Sequence, residues 1–412
     1  MSKVYYYNAQ WLRFFCALLL VFYHSAPEIF SPMSNMATKF YWGAESIGSF
    51  ATSTFFVLSG FVLTNAYAVL TPTGYGLRGS RAEFIRNRIS IIYPIYLLSL
   101  AIFLAIAAGN GTLFVVRTGA LNQYLGRLPW DSHSTSTGLF SLNLGMNLTL
   151  LQAWNPYFLS WNLAAWSLST LLFFYALFPW LMPRLLNSKK PLTLALLIFA
   201  LYCFPGVLLS VVKVDGALFT GIIHRNPLLR LPEFMIGILL YRICSEFALF
   251  ARAFDTKVLI ASFVGLGAYL GFAVWLTATG EPYLWYVLHN GLLLPASVFV
   301  VIVASHSQPT FSPAWGKRLG NTALSIFALH GPIGALLRLI FGSVGHATTC
   351  ASIGPSCPGS ASFGKHLFLF SFYVVTVVVA SLFVQEKVVA PIATALRKRR
   401  VGWLAPVSEV AR

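Results

Sequence analysis

Apolar runs separated by short polar segments recur from one end of the chain to the other. Ten of them match, or nearly match, the roughly 20 residues that a helix needs to cross a bilayer. They run from about Trp11 to Ile29, Ser46 to Val69, Ser90 to Ala108, Trp161 to Met182, Leu192 to Val212, Leu228 to Ile243, Val258 to Thr279, Leu284 to Ser305, Asn321 to Phe341 and Leu367 to Val389. An eleventh stretch, Leu139 to Leu151, is too short to span and is either re-entrant or an extension of a neighbouring helix. The pattern predicts an all-α polytopic membrane protein of about ten transmembrane helices. With no internal repeat, low-complexity linker or soluble domain in the pattern, residues 1–412 are read as a single integral-membrane domain.

Composition agrees. Hydrophobic residues make up 57% and charged residues 9% of the chain, against about 25% charged in an ordinary soluble domain. Mean hydropathy is +0.73. A typical cytosolic enzyme, a disordered chain and a fibrous protein are excluded on this balance. The net charge of +17 would suggest nucleic acid on a soluble protein, but the basic residues sit mostly in short loops between apolar runs, and no interleaved basic and aromatic patch suits a nucleic-acid partner. When alternate loops are assigned to opposite faces, nineteen Lys and Arg lie on the side of the N-terminus and seven on the other. Cytoplasmic loops carry the excess of positive charge, so both termini are expected inside. The first ten residues lack the features of a cleavable signal peptide. Cys16, Cys203 and Cys244 read as small apolar fillers, whereas Cys350 and Cys357 share the last outer loop and are placed for a structural disulfide.

Charged and titratable side chains in hydrocarbon are costly and mark function by default. The first run holds Arg13 and His24, eleven residues apart. Eleven helical steps make three turns plus roughly 20°, so the two share a face, separated by about 16 Å along the axis. A cation then lies near one mouth and an imidazole deep inside, able to take a proton from a hydroxyl near neutral pH. The structural alternative is that Arg13 reaches back to lipid phosphates and His24 bonds a backbone carbonyl. Ahead of the third run stand Arg78, Arg81, Arg86 and Arg88, suited to phosphates through bidentate pairing; for Arg78 and Arg81 ordinary positive-inside charge is sufficient. Asn162 and Ser167 open the fourth run and are candidates for a polyhydroxylated acceptor, although a serine there also caps a helix. Arg230 and Glu233, three residues apart, can pair on one helix face. His330 is a second intramembrane histidine. GxSxG, HExxH, CxxC and P-loop patterns are missing, and Asp131, Asp215 and Asp255 lie in loops. No metal site is expected.

Six segments in order carry a resemblance: WLRFFCALLLVFYH, FFVLSGFVL, FIRNRISIIYPIY, WSLSTLLFFYALFP, RLPEFMIGILLY and LGNTALSIFALHGP. Together they resemble the acyltransferase-3 family of integral-membrane O-acyltransferases, whose members acetylate bacterial exopolysaccharides, O-antigens, nodulation factors and macrolide sugars. The likeness covers nearly the whole chain. It implies a ten-helix fold that moves an acyl group from cytoplasmic acyl-CoA to an acceptor reached from the membrane or periplasm. The family's first-helix histidine and arginine fall on His24 and Arg13. Its RxxR motif ahead of a proline falls on Arg88 and Ile91, and the glutamate of its WSLSxE motif on Leu171, so one basic and one acidic position are both apolar here. Removing both partners of a buried pair is nearly neutral, whereas removing one strands a charge; Ile91 and Leu171 are therefore expected to touch.

The resulting expectation is an inner-membrane O-acyltransferase with His24 as catalytic base. Arg13, Arg86 and Arg88 would hold the phosphates of acyl-CoA, the donor substrate. Asn162, Ser167, Glu233 and His330 would contact the acceptor, a sugar hydroxyl of a cell-surface or exported polysaccharide. No permanently bound cofactor is expected, and membrane lipids are the remaining partners. Competing readings are a transporter or flippase of lipid-linked sugar, and a weakened family member that scaffolds polysaccharide export.

Overall fold

The computed structural model describes residues 6–30, 36–118, 131–134, 136–214, 216–246, 256–279, 283–306, 311–341 and 363–398. Each of the ten apolar runs falls on helix. Helix α1 (Tyr7–Phe30) is followed by α2 (Met36–Tyr67) and by a hairpin of β1 (Ala68–Thr71) and β2 (Gly74–Leu77) that leads into α3 (Arg81–Gly109). Strands β3 (Val115–Thr118) and β4 (Asp131–Ser134), helix α4 (Thr137–Leu148) and β5 (Phe158–Leu159) come next. The rest is helical: α5 (Trp166–Leu186), α6 (Pro191–Val211), α7 (Ala217–Arg225), α8 (Pro227–Glu246), α9 (Thr256–Thr279), α10 (Leu284–Val287), α11 (Leu293–His306), α12 (Pro313–Phe341), α13 (Phe363–Val384) and α14 (Ala390–Lys398). Among the described residues, eight helical segments are long and apolar enough to cross a membrane. The two expected spans outside that group, α1 and α8, are the ones whose apolarity is diluted by Arg13 and His24 and by Arg230 and Glu233.

Two small antiparallel sheets depart from the all-helical expectation. One is the β1–β2 hairpin, the other has the order β4-β3-β5. The hairpin is fixed to the end of α5 because the Asn187 side chain accepts from the Tyr75 N–H at 2.8 Å and donates to the Tyr75 carbonyl at 2.9 Å. Helix α3 begins nine residues before the apolar run does. Ser80 caps it, its Oγ accepting from the Glu83 N–H at 3.1 Å, so Ser80-x-x-Glu83 is the capping-box signature that the reading by hydropathy passed over. Arg86 and Arg88 are consequently helical rather than in a loop.

The short stretch near Leu139 forms a separate helix, α4, and not an extension of a neighbour. Its amphipathicity is reversed. Asn143 and Asn147 are buried while Leu139, Leu142 and Leu148 are exposed, and the inner amides bond to Ser160 and to one another. An apolar outer face suits hydrocarbon rather than water.

Helices α1, α2, α8 and α12 make the centre. Helix α1 packs on α12 and α2, α2 on α8, and α5 and α6 flank α8. The α2–α8 crossing is close because glycines meet there: a Cβ on Gly60 would collide with the Phe234 carbonyl oxygen, and one on Gly237 with that of Val57. Small residues at such crossings let backbones approach where the hydrophobic effect supplies no force between helices. Helices α9 and α13 turn Phe263, Val264, Trp275, Phe368 and Val379 outward, as lipid-facing surfaces do. Cys16 is buried and Cys203 and Cys244 are free thiols; Cys350 and Cys357, with the disulfide expected of them, lie outside the described residues, as do Asp215 and Asp255.

Candidate active site

Helix α1 turns the face shared by Arg13 and His24 toward the protein. Leu20, on that same face, is 4% exposed. It lines a void of about one water molecule's size together with Thr52 and Phe55 of α2, Ser167 and Leu171 of α5 and Phe327 of α12. At one end of the face, Arg13 is half-buried and both it and Arg88 act electrostatically on Tyr175. The Arg88 guanidinium lies 5.4 Å from the ring centre of Tyr67, 5.6 Å from Phe84 and 5.9 Å from Tyr175. It also donates to the Tyr67 hydroxyl at 2.9 Å. This aromatic box fixes the cation without neutralising it. The Nε atoms of Arg86 and Arg88 have no hydrogen-bond partner among the described residues. At the start of α3, Arg86 and Arg88 thus keep guanidinium N–H groups unengaged by the described residues, and Arg13 acts on the same tyrosine as Arg88.

At the other end, the exposed His24 ring stacks on that of His330, with centres 5.0 Å apart. His330 is 2% exposed. Its Nδ1 donates to the Phe327 carbonyl at 2.7 Å, which leaves Nε2 as an acceptor in the neutral ring. None of the described residues hydrogen-bonds the His24 ring, so the backbone-carbonyl alternative for it is not realised. An imidazole that is accessible on one side and stacked on a tautomer-fixed second imidazole can exchange a proton with a hydroxyl held at its edge.

The remaining expected residues divide. Asn162 follows Trp161, whose φ of 52° is the left-handed conformation that bulky residues avoid. The sharp turn delivers Asn162 Nδ2 to Ser99 Oγ at 2.6 Å and to the Ala328 carbonyl at 3.1 Å, tying α3 to the turn of α12 that carries His330. Its amide nitrogen is occupied structurally; its Oδ1 lies toward Gly331. Ser167 donates to the Ala164 carbonyl at 3.1 Å and borders the void beside Leu20. Arg230 and Glu233 do pair, Nε to Oε2 at 3.0 Å, with both side chains fully buried. Tyr202 donates to the other Glu233 oxygen at 2.8 Å. Glu233 has no exposed surface, and its two oxygens are engaged by Arg230 and Tyr202. Leu171 is 1% exposed and faces the void, whereas Ile91 is half-buried and is not part of that lining.

Two histidines that the sequence reading passed over belong to this region. His289 opens a π-turn (Leu288–Leu292) between α10 and α11, in which Asn290 has non-helical dihedrals. Its Nε2 lies 2.9 Å from His224 Nδ1, and Arg230 Nη1 is 3.1 Å from its Nδ1. His224, near the end of α7, lies against Trp166, with centres 4.6 Å apart, and within electrostatic range of His24. The signal was available: a His-Asn-Gly triplet inside an apolar run is a polar interruption of a membrane helix.

Fold and site together define a multi-pass membrane protein with a basic cluster and a set of imidazoles at opposite ends of one inward helix face. The family model described as an acyltransferase domain, the acyltransferase-3 family, matches residues 6–385. The chain belongs to that family, and it is an acyltransferase of the membrane. No curated protein and no solved structure matches the chain in the other two comparisons. The matched span includes every site residue described above and ends just before α14.

Proposed function

We propose that this protein transfers an acyl group, most simply acetyl, from acyl-CoA to a sugar hydroxyl of a cell-surface or exported polysaccharide at the bacterial inner membrane. Both termini would lie in the cytoplasm. The observation that carries the reading is the inward face of α1: Arg13 at the basic end, Leu20 in the middle and His24 at the imidazole end. The donor's phosphates would bind Arg13, Arg86 and Arg88, since guanidinium groups pair bidentately with phosphate. Its pantetheine arm would follow the α1 face and bring the thioester to His24. As general base, His24 would take the proton of the acceptor hydroxyl as that oxygen attacks the thioester carbonyl. The C–S bond breaks, and the thiolate leaves and regains the proton as CoA. His330, stacked on His24, would orient it or the acceptor.

The test is mass spectrometry of surface glycans from wild type and His24→Ala at matched protein abundance. Loss of acylation with continued glycan export supports the reading. Retained acylation overturns it, and loss of export points to the transporter class instead.

A further inference from the structure

The tautomers of the buried histidine pair follow from its partners. His289 Nδ1 stands 2.7 Å from Asn290 Oδ1, which can only accept, while Arg230 Nη1, which can only donate, lies 3.1 Å from Nδ1 and 3.4 Å from Nε2. The shorter contact places the proton on Nδ1, donated to Asn290. Nε2 of the neutral His289 ring then carries the lone pair. The 2.9 Å contact with His224 therefore requires His224 Nδ1 to be the donor. A neutral His224 in turn has its lone pair on Nε2. That nitrogen has no hydrogen-bond partner among the described residues, and the His224 ring is only half-buried, whereas His289 and Asn290 are each 1% exposed. The rear of the arrangement is locked as well. Tyr202 donates to the His289 carbonyl at 3.0 Å, and Arg230, paired with Glu233, donates to Ser53 Oγ at 3.2 Å. A buried chain of hydrogen bonds thus ends in a half-buried imidazole that lies against Trp166, four residues after Asn162.

We propose that His224 Nε2 binds a second hydroxyl of the acceptor, next to the one that reacts at His24, and that Asn290 and His289 are positioning residues that hold His224 in the tautomer able to accept it. The inference rests on the acyl-transfer reading and adds a specificity to it. The acceptor must present two neighbouring hydroxyls, one for each imidazole, which is the chemistry of a sugar diol rather than of a simple alcohol.

Two measurements test it. The first is ¹⁵N spectroscopy of histidine-labelled protein in lipid bilayers. Wild type should show His224 Nε2 in the unprotonated range and Nδ1 protonated. Asn290→Ala, which leaves Arg230 as the partner of His289 Nδ1, should reverse both, and Asn290→Asp should keep the wild-type pattern. A protonated His224 Nε2 in wild type overturns the clamp, whatever the activity. The second is kinetics with acetyl-CoA and the unacylated glycan isolated from a His24→Ala strain. His224→Ala should lower kcat/KM for the glycan about tenfold, the scale of one hydrogen bond, with the acetyl-CoA KM unchanged. Asn290→Ala should lower it several-fold, and Asn290→Asp should restore it. An unchanged acetyl-CoA KM reports a folded donor site in each variant. If His24→Ala is inactive while His224→Ala equals wild type, the acceptor role of His224 is wrong and the acyl-transfer reading stands. If His24→Ala stays active, the underlying reading fails.

Discussion

Glu233→Gln should be among the most destabilising single substitutions in the protein, although it changes one atom. The Arg230 side chain is fully buried and Glu233 lies 3.0 Å away. At an effective dielectric of about 20, that separation corresponds to about 5.5 kcal/mol of gross attraction. Removing one partner of a buried pair costs about 3–5 kcal/mol because the other charge is left uncompensated. The glutamine still accepts from Tyr202, so steric change and loss of that hydrogen bond contribute little. The double substitution Arg230→Met/Glu233→Leu removes both charges. Tyr202 keeps the His289 carbonyl, 3.0 Å away, as acceptor, and His289 keeps Asn290. The contacts of Arg230 with Ser53, the His289 ring, the Tyr202 hydroxyl and the Phe56 ring are lost. At least half of the stability lost in the single variant should therefore return in the double. Unfolding titrations with SDS in mixed micelles measure both. A double variant as unstable as Glu233→Gln would show that packing around Phe56 and Ser53, and not charge compensation, is what the pair supplies.

Other substitutions probe the remaining links. Arg88→Ala should weaken binding of CoA about tenfold by calorimetry, and Arg88→Lys should recover little, because a lysine cannot bond Tyr67 and a phosphate with separate N–H edges. Gly237→Ala should destabilise the α2–α8 crossing by about 1–3 kcal/mol, seen as a lower unfolding midpoint in detergent. Ser80→Ala should cost about 1 kcal/mol through loss of the α3 cap, with equal stability in the two proteins ruling out that role.

Much of the architecture was legible because hydropathy reports directly on which segments tolerate lipid. All ten runs are helices, and the Arg230–Glu233 pairing follows from helical spacing alone. What escaped was local or non-periodic. The Ser80-x-x-Glu83 cap sits outside the apolar run and brings Arg81, Arg86 and Arg88 into the helix. Asn187 and the β1–β2 hairpin are 112 residues apart in sequence and meet only through tertiary packing. The site divided in the same manner. His24, Arg13 and His330 were conspicuous as polar groups in apolar runs. His224 lies in a short helix between runs, and His289 lay unread inside one; their partnership depends on a π-turn that no hydrophobic periodicity encodes. Glu233 was legible as the partner of Arg230, whereas its contacts with Tyr202 depend on tertiary packing that residue type does not reveal.

The two ends of the α1 face raise a mechanical question. Arg13 and His24 are about 16 Å apart along the helix, a span that the pantetheine arm of the proposed donor would bridge, and the void beside Leu20 on that face holds about one water molecule. The arm can pass only if the side chains of Leu20, Phe55 and Phe327 part. All three are apolar and lie on different helices, so parting them exposes no unsatisfied polar group, whereas the Asn162 and Arg230 networks on either side would lose hydrogen bonds if they moved. On the proposed reading, opening is therefore cheapest at Leu20, where the donor's arm would pass. Leu20→Trp should fill it. 3′-Phosphoadenosine 5′-diphosphate, which would carry the donor's phosphates without the arm, should bind as in wild type, while affinity for full-length CoA and the rate of transfer should each fall tenfold or more. Equal losses for the fragment and for CoA would mean that the substitution distorts the basic cluster; no loss for either would mean that the arm takes another path.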